Sequence, residues 1–243
     1  MDKKFHSKPH LSCLNRNIDK PSLDEEFSST FLFEPKGFID YEIAWKWQKE
    51  RRKALFNNFS SSQSVFLLQH QSCYTMGRGS SEKNILFNLE DPPYAIHRID
   101  RGGEVTHHLP GQLVVYLVLD LARYQTDLHW YLRQLEEVLI DFLESIGLKG
   151  EIVRGMTGVW CEGFKVASIG VGCRKWVTQH GFSLNVDCDM KGFEQIIPCG
   201  LNGEKIGNIS YWKPGLTVEI VKPIIKKSLQ KQFGFVWKEI DSL

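Results

Sequence analysis

The sequence has little of what marks several protein classes. Its 243 residues hold six cysteines, too few for a disulfide scaffold, and none forms a C-x-x-C pair typical of structural zinc sites. No stretch approaches the ~20 apolar residues that a membrane-spanning helix needs. The net charge of +1 lacks the basic excess of proteins that coat nucleic acid. We therefore expect a cytoplasmic protein with reduced thiols, no metal, no membrane association and no nucleic-acid partner.

What is present is the composition of a globular domain. Hydrophobic residues make up 42% and charged residues 24%, and the chain is long enough to bury a core without disulfides. Residues 1–28 are polar and contain acidic residues, without the apolar core of a signal peptide or the acid-poor composition of a transit peptide. The sequence predicts a poorly ordered tail over residues 1–28 and one domain over residues 29–243.

The clearest predicted element is a helix over residues 127–146. Its apolar side chains recur with the helical period, Asp127 can cap its start, and Gly147 can end it. Residues 112–121 form a long apolar run that is typical of a strand in the centre of a sheet.

Two further helices are predicted near the ends of the domain. One covers residues 40–55, with Ile43, Trp47 and Ala54 on one side, and the other lies within residues 218–233, where Pro223 is a candidate first turn. Short strands separate the helices, and no βα repeat is present. This order predicts an α+β single domain with a mixed, mostly antiparallel sheet flanked by helices.

Residues 101–112, which read RGGEVTHHLPGQ, gather several groups that can bind a ligand. Gly102 and Gly103 let the backbone approach a ligand closely and expose amide donors. His107 and His108 are adjacent, so on an extended chain at most one of them faces a shared pocket. The alternative is a tight surface turn with incidental polar residues.

Two other segments contain groups that can react. Lys165 opens a small, apolar strand, and a lysine removed from water can act as a general base; the alternative is an ordinary strand-start lysine with its amine in water. In Pro198-Cys199-Gly200, the flanking residues favour a bend that exposes the thiol. This tripeptide is equally compatible with a buried cysteine at the end of a strand.

Together and in order, these segments resemble the octanoyltransferase family of lipoic-acid synthesis, which belongs to the biotin/lipoate protein ligase superfamily. The family pattern R-G-G-x-V-T-x-H-x-P-G-Q-L matches residues 101–113, and K-x-A-x-I-G-V matches residues 165–171. The H-G-x-x-L-N-V block matches residues 180–186, and P-C-G matches residues 198–200. The departures are Leu109, Val115 and Leu117, at positions where the family commonly has glycine or proline.

The resemblance implies a biotin/lipoyl ligase-like fold and a covalent reaction. Cys199 would carry the acyl group as a thioester, and Lys165 would transfer protons. Gly102, Gly103 and Gly170 would supply oxyanion donors, and residues 112–119 and 166–172 would line the acyl slot. The substrate-binding positions that the resemblance implies are Arg101, Gly102, Gly103, His108, Gln112, Ser168, Ile169, Gly170, His180 and Gly181.

The resemblance also implies the partners. The donor would be octanoyl-acyl carrier protein, and the acceptors would be lipoyl domains of 2-oxoacid dehydrogenase complexes and the glycine cleavage H protein. A monomer without cofactor, metal or nucleotide is expected. Three alternatives remain: an ATP-dependent lipoate or biotin ligase, an enzyme that moves octanoyl groups between lipoyl domains, and a non-catalytic acyl-binding module. Acyl carrier proteins are acidic, so the docking candidates are Arg51, Arg52, Arg78, Arg101 and Arg174.

Overall fold

The computed structural model describes residues 29–58, 61–198 and 205–239. The predicted tail over residues 1–28, and Cys199 with Gly200, lie outside these described residues. The strands of the described residues are β1 Ser29–Phe33, β2 Phe38–Ile39, β3 Gln63–His70, β4 Cys73–Met76, β5 Ala95–Arg98, β6 Thr106–His108, β7 Gln112–Val118, β8 Gly158–Cys161, β9 Phe164–Arg174, β10 Val177–Asn185 and β11 Val236–Glu239.

The strands form a large mixed sheet and a small one. The large sheet has the order β11-β1-β3-β7-β10-β9-β8, with β2 alongside β3, and the small sheet has the order β5-β4-β6. The run from β3 to β8 is antiparallel throughout, whereas β1 pairs in parallel with both β3 and β11. The predicted α+β single domain with a mixed sheet is confirmed.

Three helices cover the large sheet: α1 Tyr41–Asn57, α2 Leu128–Ser145 and α3 Val218–Phe233. The helices α2 and α3 pack in one apolar cluster on one face, and α1 packs in a second cluster on the other. No helix of the described residues is long and apolar enough to cross a membrane.

Strand β7 is the centre of this three-layer arrangement. Leu113, Val115 and Leu117 belong to the cluster with α2 and α3, whereas Val114 and Tyr116 belong to the cluster with α1. Successive strand residues point to opposite faces, so a strand covered on both faces needs apolar residues at every position. This explains the uninterrupted apolar run and confirms the predicted central strand.

The predicted ranges of α2 and α3 are confirmed, but one detail of α3 needs correction. The Asp127 carboxylate accepts hydrogen bonds from the amides of His129 and Trp130, as a helix cap does. The proposed first turn at Pro223 is wrong, because α3 begins at Val218 after a Thr217 cap and contains the proline.

The predicted apolar side of α1 is right only in part. Trp47 packs against the second cluster, but Ile43 is 49% exposed, whereas Gln48 is fully buried. The Gln48 side-chain oxygen accepts a hydrogen bond of 2.8 Å from the amide of His180 in β10. The helix therefore turns a polar residue toward the sheet to satisfy a strand amide, a requirement that apolar periodicity does not reveal.

Candidate active site

A cavity of about 430 Å³ lies over the paired strands β9 and β10. In this pairing Ser168 faces Ser183, and Gly170 faces Gly181. Small residues on these two alternate rungs, which share one face of the sheet, leave room that larger side chains would fill. The floor of the cavity is therefore created by the sequence of these two strands.

The loop that holds Arg101 covers one side of the cavity. The Gly102 amide donates to the Val171 carbonyl at 2.9 Å, which ties the loop to β9. The Arg101 guanidinium is buried and donates to the carbonyl and the hydroxyl of Thr75 at 2.8 and 3.0 Å. A Cβ atom on Gly170 would lie 2.9 Å from the Arg101 Cδ, so the close approach depends on glycine.

Lys165 lies at one end of the cavity and is 2% exposed. Its Nζ stands over the Trp160 ring at 4.9 Å, and a Cβ atom on Gly158 would lie 2.7 Å from the Lys165 Cε. Its backbone amide donates to the Lys205 carbonyl at 2.7 Å, and its carbonyl accepts from the Gly207 amide at 3.0 Å. The alternative of a lysine with its amine in water does not describe this side chain.

A chain of side-chain amides fixes the tautomer of His108. The Asn185 amide nitrogen donates to the Gly207 carbonyl, so its oxygen accepts from the Gln112 amide nitrogen at 2.9 Å. That nitrogen also donates to the His107 carbonyl, so the Gln112 oxygen faces the His108 Nδ1 at 2.8 Å. His108 therefore carries its proton on Nδ1 and keeps Nε2 as an acceptor. Burial holds the pKa of His108 well below its usual value.

His180 has an uncommon backbone conformation for a residue within a strand, with φ of 63°. Its Nε2 donates to the Asp100 carboxylate at 3.1 Å, and the Arg52 guanidinium lies 3.6 Å from the other oxygen of that carboxylate. The hydrogen bond from His180 lowers the pKa of Asp100 to about 2, and burial lowers the pKa of His180. A neutral imidazole thus donates to a carboxylate anion.

The structure brings most of the predicted site residues to one cavity. Gln112 does not line it; its amide orients His108 instead. The expected oxyanion role of Gly102 needs correction, because its amide already donates to Val171. Cys199 lies outside the described residues. The predicted residues that line the cavity are Arg101, Gly102, Gly103, His108, Lys165, Ser168, Ile169, Gly170, His180 and Gly181.

The two adjacent histidines separate as their alternation predicts. His108 lines the cavity, whereas the His107 ring packs among Tyr74, Tyr94 and Phe193 at centroid distances of 4.6, 5.3 and 5.5 Å. Of these two histidines, His108 is therefore the one that can contact a molecule in the cavity. The departures from the family pattern, Leu109, Val115 and Leu117, are buried in the core and do not line the cavity.

Of the five arginines considered for docking, Arg78 is both exposed and part of the cavity lining. Arg101 is buried, and Arg51, Arg52 and Arg174 do not line the cavity. Arg78 is therefore the arginine of this group that a molecule entering the cavity would meet.

Sequence patterns did not reveal several residues that support the site. Glu104 accepts hydrogen bonds of 3.0 Å from the Ser81 amide and from the Asn84 side chain. The Asn84 carbonyl in turn accepts from the Ile197 amide at 2.8 Å, two residues before Cys199. Asn185 was visible within a family block, but only the structure shows that it holds Gly207.

The chain is similar in sequence to proteins of known family. The model of the lipoyl protein ligase A/B catalytic domain matches residues 40–230 of the chain. The chain is 58% identical over 234 residues to an octanoyltransferase of Prochlorococcus marinus (strain MIT 9211), covering 96% of this chain and 100% of that protein. The chain belongs to the octanoyltransferase family. The predicted acyltransferase activity is confirmed.

Solved structures of lipoate ligases share the fold of this chain. A lipoate-protein ligase A bound with ATP superposes with a TM-score of 0.72 at 13% identity, covering 88% of this chain and 90% of the other. A bipartite lipoate protein ligase from Thermoplasma acidophilum, described with its E2 lipoyl domain, gives a TM-score of 0.68 at 13% identity over 88% of each chain. The predicted lipoyl ligase-like fold is confirmed.

Proposed function

We propose that this octanoyltransferase moves an octanoyl group from octanoyl-acyl carrier protein to a lysine amine of a lipoyl domain, through a thioester on Cys199. The acceptors would be lipoyl domains of 2-oxoacid dehydrogenase complexes and the glycine cleavage H protein. The ligase of similar fold described with its E2 lipoyl domain supports this acceptor class. Arg78, exposed at the cavity, suits an acidic carrier protein as donor.

The observation that carries this proposal is the position of the chain on either side of Cys199. Ile197 is bonded to Asn84, whose side chain donates to Glu104, a residue that lines the cavity. On the other side, the Lys205 carbonyl accepts a hydrogen bond from the Lys165 amide. Hydrogen bonds therefore link both described stretches that border Cys199 to the same cavity, one directly to Lys165 and the other through Asn84 to Glu104.

The thiol pKa values of the other cysteines also support Cys199 as the nucleophile. Burial raises the pKa of Cys73 and Cys188 to about 12, and it raises the pKa of Cys161 and Cys173. A thiol acts as a nucleophile in its thiolate form, which a raised pKa disfavours. The cysteines of the described residues are therefore poor nucleophiles.

Two transfers of the acyl group would complete the reaction. In the first, Lys165 receives the Cys199 thiol proton while the sulfur attacks the carrier thioester; the carbon–sulfur bond to the carrier breaks, and the departing thiolate takes that proton. In the second, the lysine amine of the lipoyl domain attacks the acyl-Cys199 carbonyl. Lys165 then receives a proton from that amine and returns it to the Cys199 sulfur. An amide and the free thiol result.

An assay without ATP separates this reaction from that of an ATP-dependent ligase. We expect the protein, octanoyl-acyl carrier protein and a lipoyl domain to give a lipoyl domain heavier by one octanoyl group, measured by intact mass. A lipoyl domain whose target lysine is replaced by arginine is the control and should gain nothing. Product that forms only from free octanoate and ATP would contradict the proposal.

A further inference from the structure

We propose that His180 closes the far end of the acyl slot and so limits the length of the acyl chain that the enzyme accepts. The inference rests on the proposed function, because it takes the Lys165 end of the cavity as the place of the thioester carbonyl. It adds a specificity determinant on strand β10 to that function. Three features of the strand pair β9–β10 support it: the side-chain direction of His180, its distance from Lys165, and the end of the cavity lining.

The left-handed backbone at His180 turns its imidazole onto the sheet face that α1 covers, where Tyr41 and Tyr116 also line the cavity. In a regular strand it would point to the same face as its alternate neighbours Phe182 and Leu184, which belong to the cluster with α2 and α3. Instead, its Cδ2 lies 3.7 Å from the position that a Cβ atom on Gly172 would take. Its ring also meets the Tyr116 ring edge-on at 6.1 Å, in the layer of α1.

The strand register gives the distance from the reacting end of the cavity to this imidazole. The Lys165 Nζ lies 3.4 Å from the position that a Cβ atom on Gly158 would take, and Gly158 pairs with Ser168. His180 pairs with Val171, three residues further along β9. At about 3.3 Å per residue, the two rungs lie roughly 10 Å apart.

An octanoyl chain has this length. Seven carbon–carbon bonds of about 1.5 Å, extended as a zigzag, span about 9 Å from the carbonyl carbon to the methyl group. Of the two rungs between these ends, one pairs Ile169 with Phe182, and the other pairs Gly170 with Gly181, which leaves space for such a chain. Among the described residues, the cavity lining includes Val171 and His180 but neither of the next residues, Gly172 and Gln179. The slot therefore ends at the imidazole.

The imidazole is held as a fixed wall. The Asp100 carboxylate accepts from its Nε2, and the Gln48 side-chain oxygen accepts from its backbone amide. The Arg52 guanidinium faces Asp100 from the other side. Because hydrogen bonds hold both the ring and the backbone of His180, a longer acyl chain cannot displace the side chain by a simple rotation. Asp100 is in this respect a positioning residue for the wall.

The test is the change in chain-length preference in His180→Gly. Glycine adopts a φ of 63° without strain, so the variant removes the wall and keeps the strand. We expect kcat/KM for acyl-enzyme formation with dodecanoyl-carrier protein, relative to octanoyl-carrier protein, to rise at least about ten-fold over wild type. His180→Asn, which tolerates the left-handed region, should give a smaller rise and covers the case of a poorly folded glycine variant.

Two matched variants control for general effects. Lys175→Gly replaces another left-handed residue, exposed in the turn between β9 and β10, and should leave the ratio unchanged. Ile140→Ala truncates an apolar residue of α2 that does not line the cavity and should also leave the ratio unchanged. A constant ratio in both His180 variants overturns the inference, as does a ratio that rises equally in Ile140→Ala.

A binding measurement separates this inference from the proposed function. If wild type forms no acyl-enzyme from the octanoyl carrier, the proposed function fails. The slot can then be tested by calorimetry with free octanoate and dodecanoate, which needs no transfer. The inference predicts that dodecanoate binding, relative to octanoate, strengthens at least about ten-fold in His180→Gly. An unchanged relative affinity overturns it.

Discussion

Lys165→Met is expected to slow formation of the acyl-enzyme by about 10²–10⁴-fold, the usual contribution of a positioned proton-transfer group. Methionine is unbranched and of similar length, so it can fill the buried space between the Trp160 ring and Gly158. It cannot receive the thiol proton. Single-turnover kinetics with octanoyl-acyl carrier protein measure the rate, and thermal unfolding checks that the fold survives.

The pH dependence of this variant distinguishes a chemical role from a structural one. Without a proton acceptor, reaction depends on spontaneous ionisation of the thiol, which for an ordinary cysteine occurs near pH 8.5. We therefore expect the variant's rate to climb toward that pH. Lys205→Met is the matched control. Lys205 is exposed, and its contact with Lys165 is a backbone hydrogen bond, which a side-chain substitution leaves in place. Wild-type rates in Lys165→Met would remove Lys165 from the mechanism.

Gly111→Ala is expected to destabilise the fold by about 3 kcal/mol or more, because it combines backbone strain with a collision. Gly111 has a φ of 85°, and a Cβ atom there would lie 2.0 Å from the Asp187 carbonyl oxygen. The Gly111 carbonyl also accepts hydrogen bonds from the amides of Val186 and Asp187. The turn can therefore move only by breaking the contact between β7 and the end of β10.

Gly215→Ala isolates the strain from the collision. Gly215 has a φ of 86° and no atom within 4 Å of its Cβ position, so alanine there should cost only the 1–2 kcal/mol typical of the left-handed region. Denaturant unfolding of both variants measures the difference. Equal losses of stability would show that the contact between Gly111 and Asp187 is not as tight as the structure has it.

The fold was predictable where one residue pattern determines one element. The apolar stripe and the Asp127 cap predicted α2, and the unbroken apolar run predicted β7 as a strand in the centre of a sheet, which the structure covers on both faces. The polar residue on the buried side of α1 was not predictable. Gln48 lies there beside Tyr41, Ala44 and Leu55, and its hydrogen-bond partner His180 is 132 positions away in the chain.

The site was predictable where its residues lie within short motifs. The segments around Arg101, Lys165 and His180 supply most of the cavity lining. The supporting contacts join residues far apart in the chain, such as Gln112 with Asn185, and no local pattern indicates such pairs. The left-handed conformation of His180 was equally hidden, because the usual signal for it is a glycine.

The most direct test of the central claim is to locate the acyl group on the enzyme. The protein is mixed with octanoyl-acyl carrier protein in the absence of ATP and of any lipoyl domain, quenched in acid, digested and examined by mass spectrometry. The account predicts one octanoyl group, on the peptide that contains Cys199, and its loss after addition of a lipoyl domain. An unmodified Cys199, or an octanoyl group on a buried cysteine such as Cys188, would contradict it.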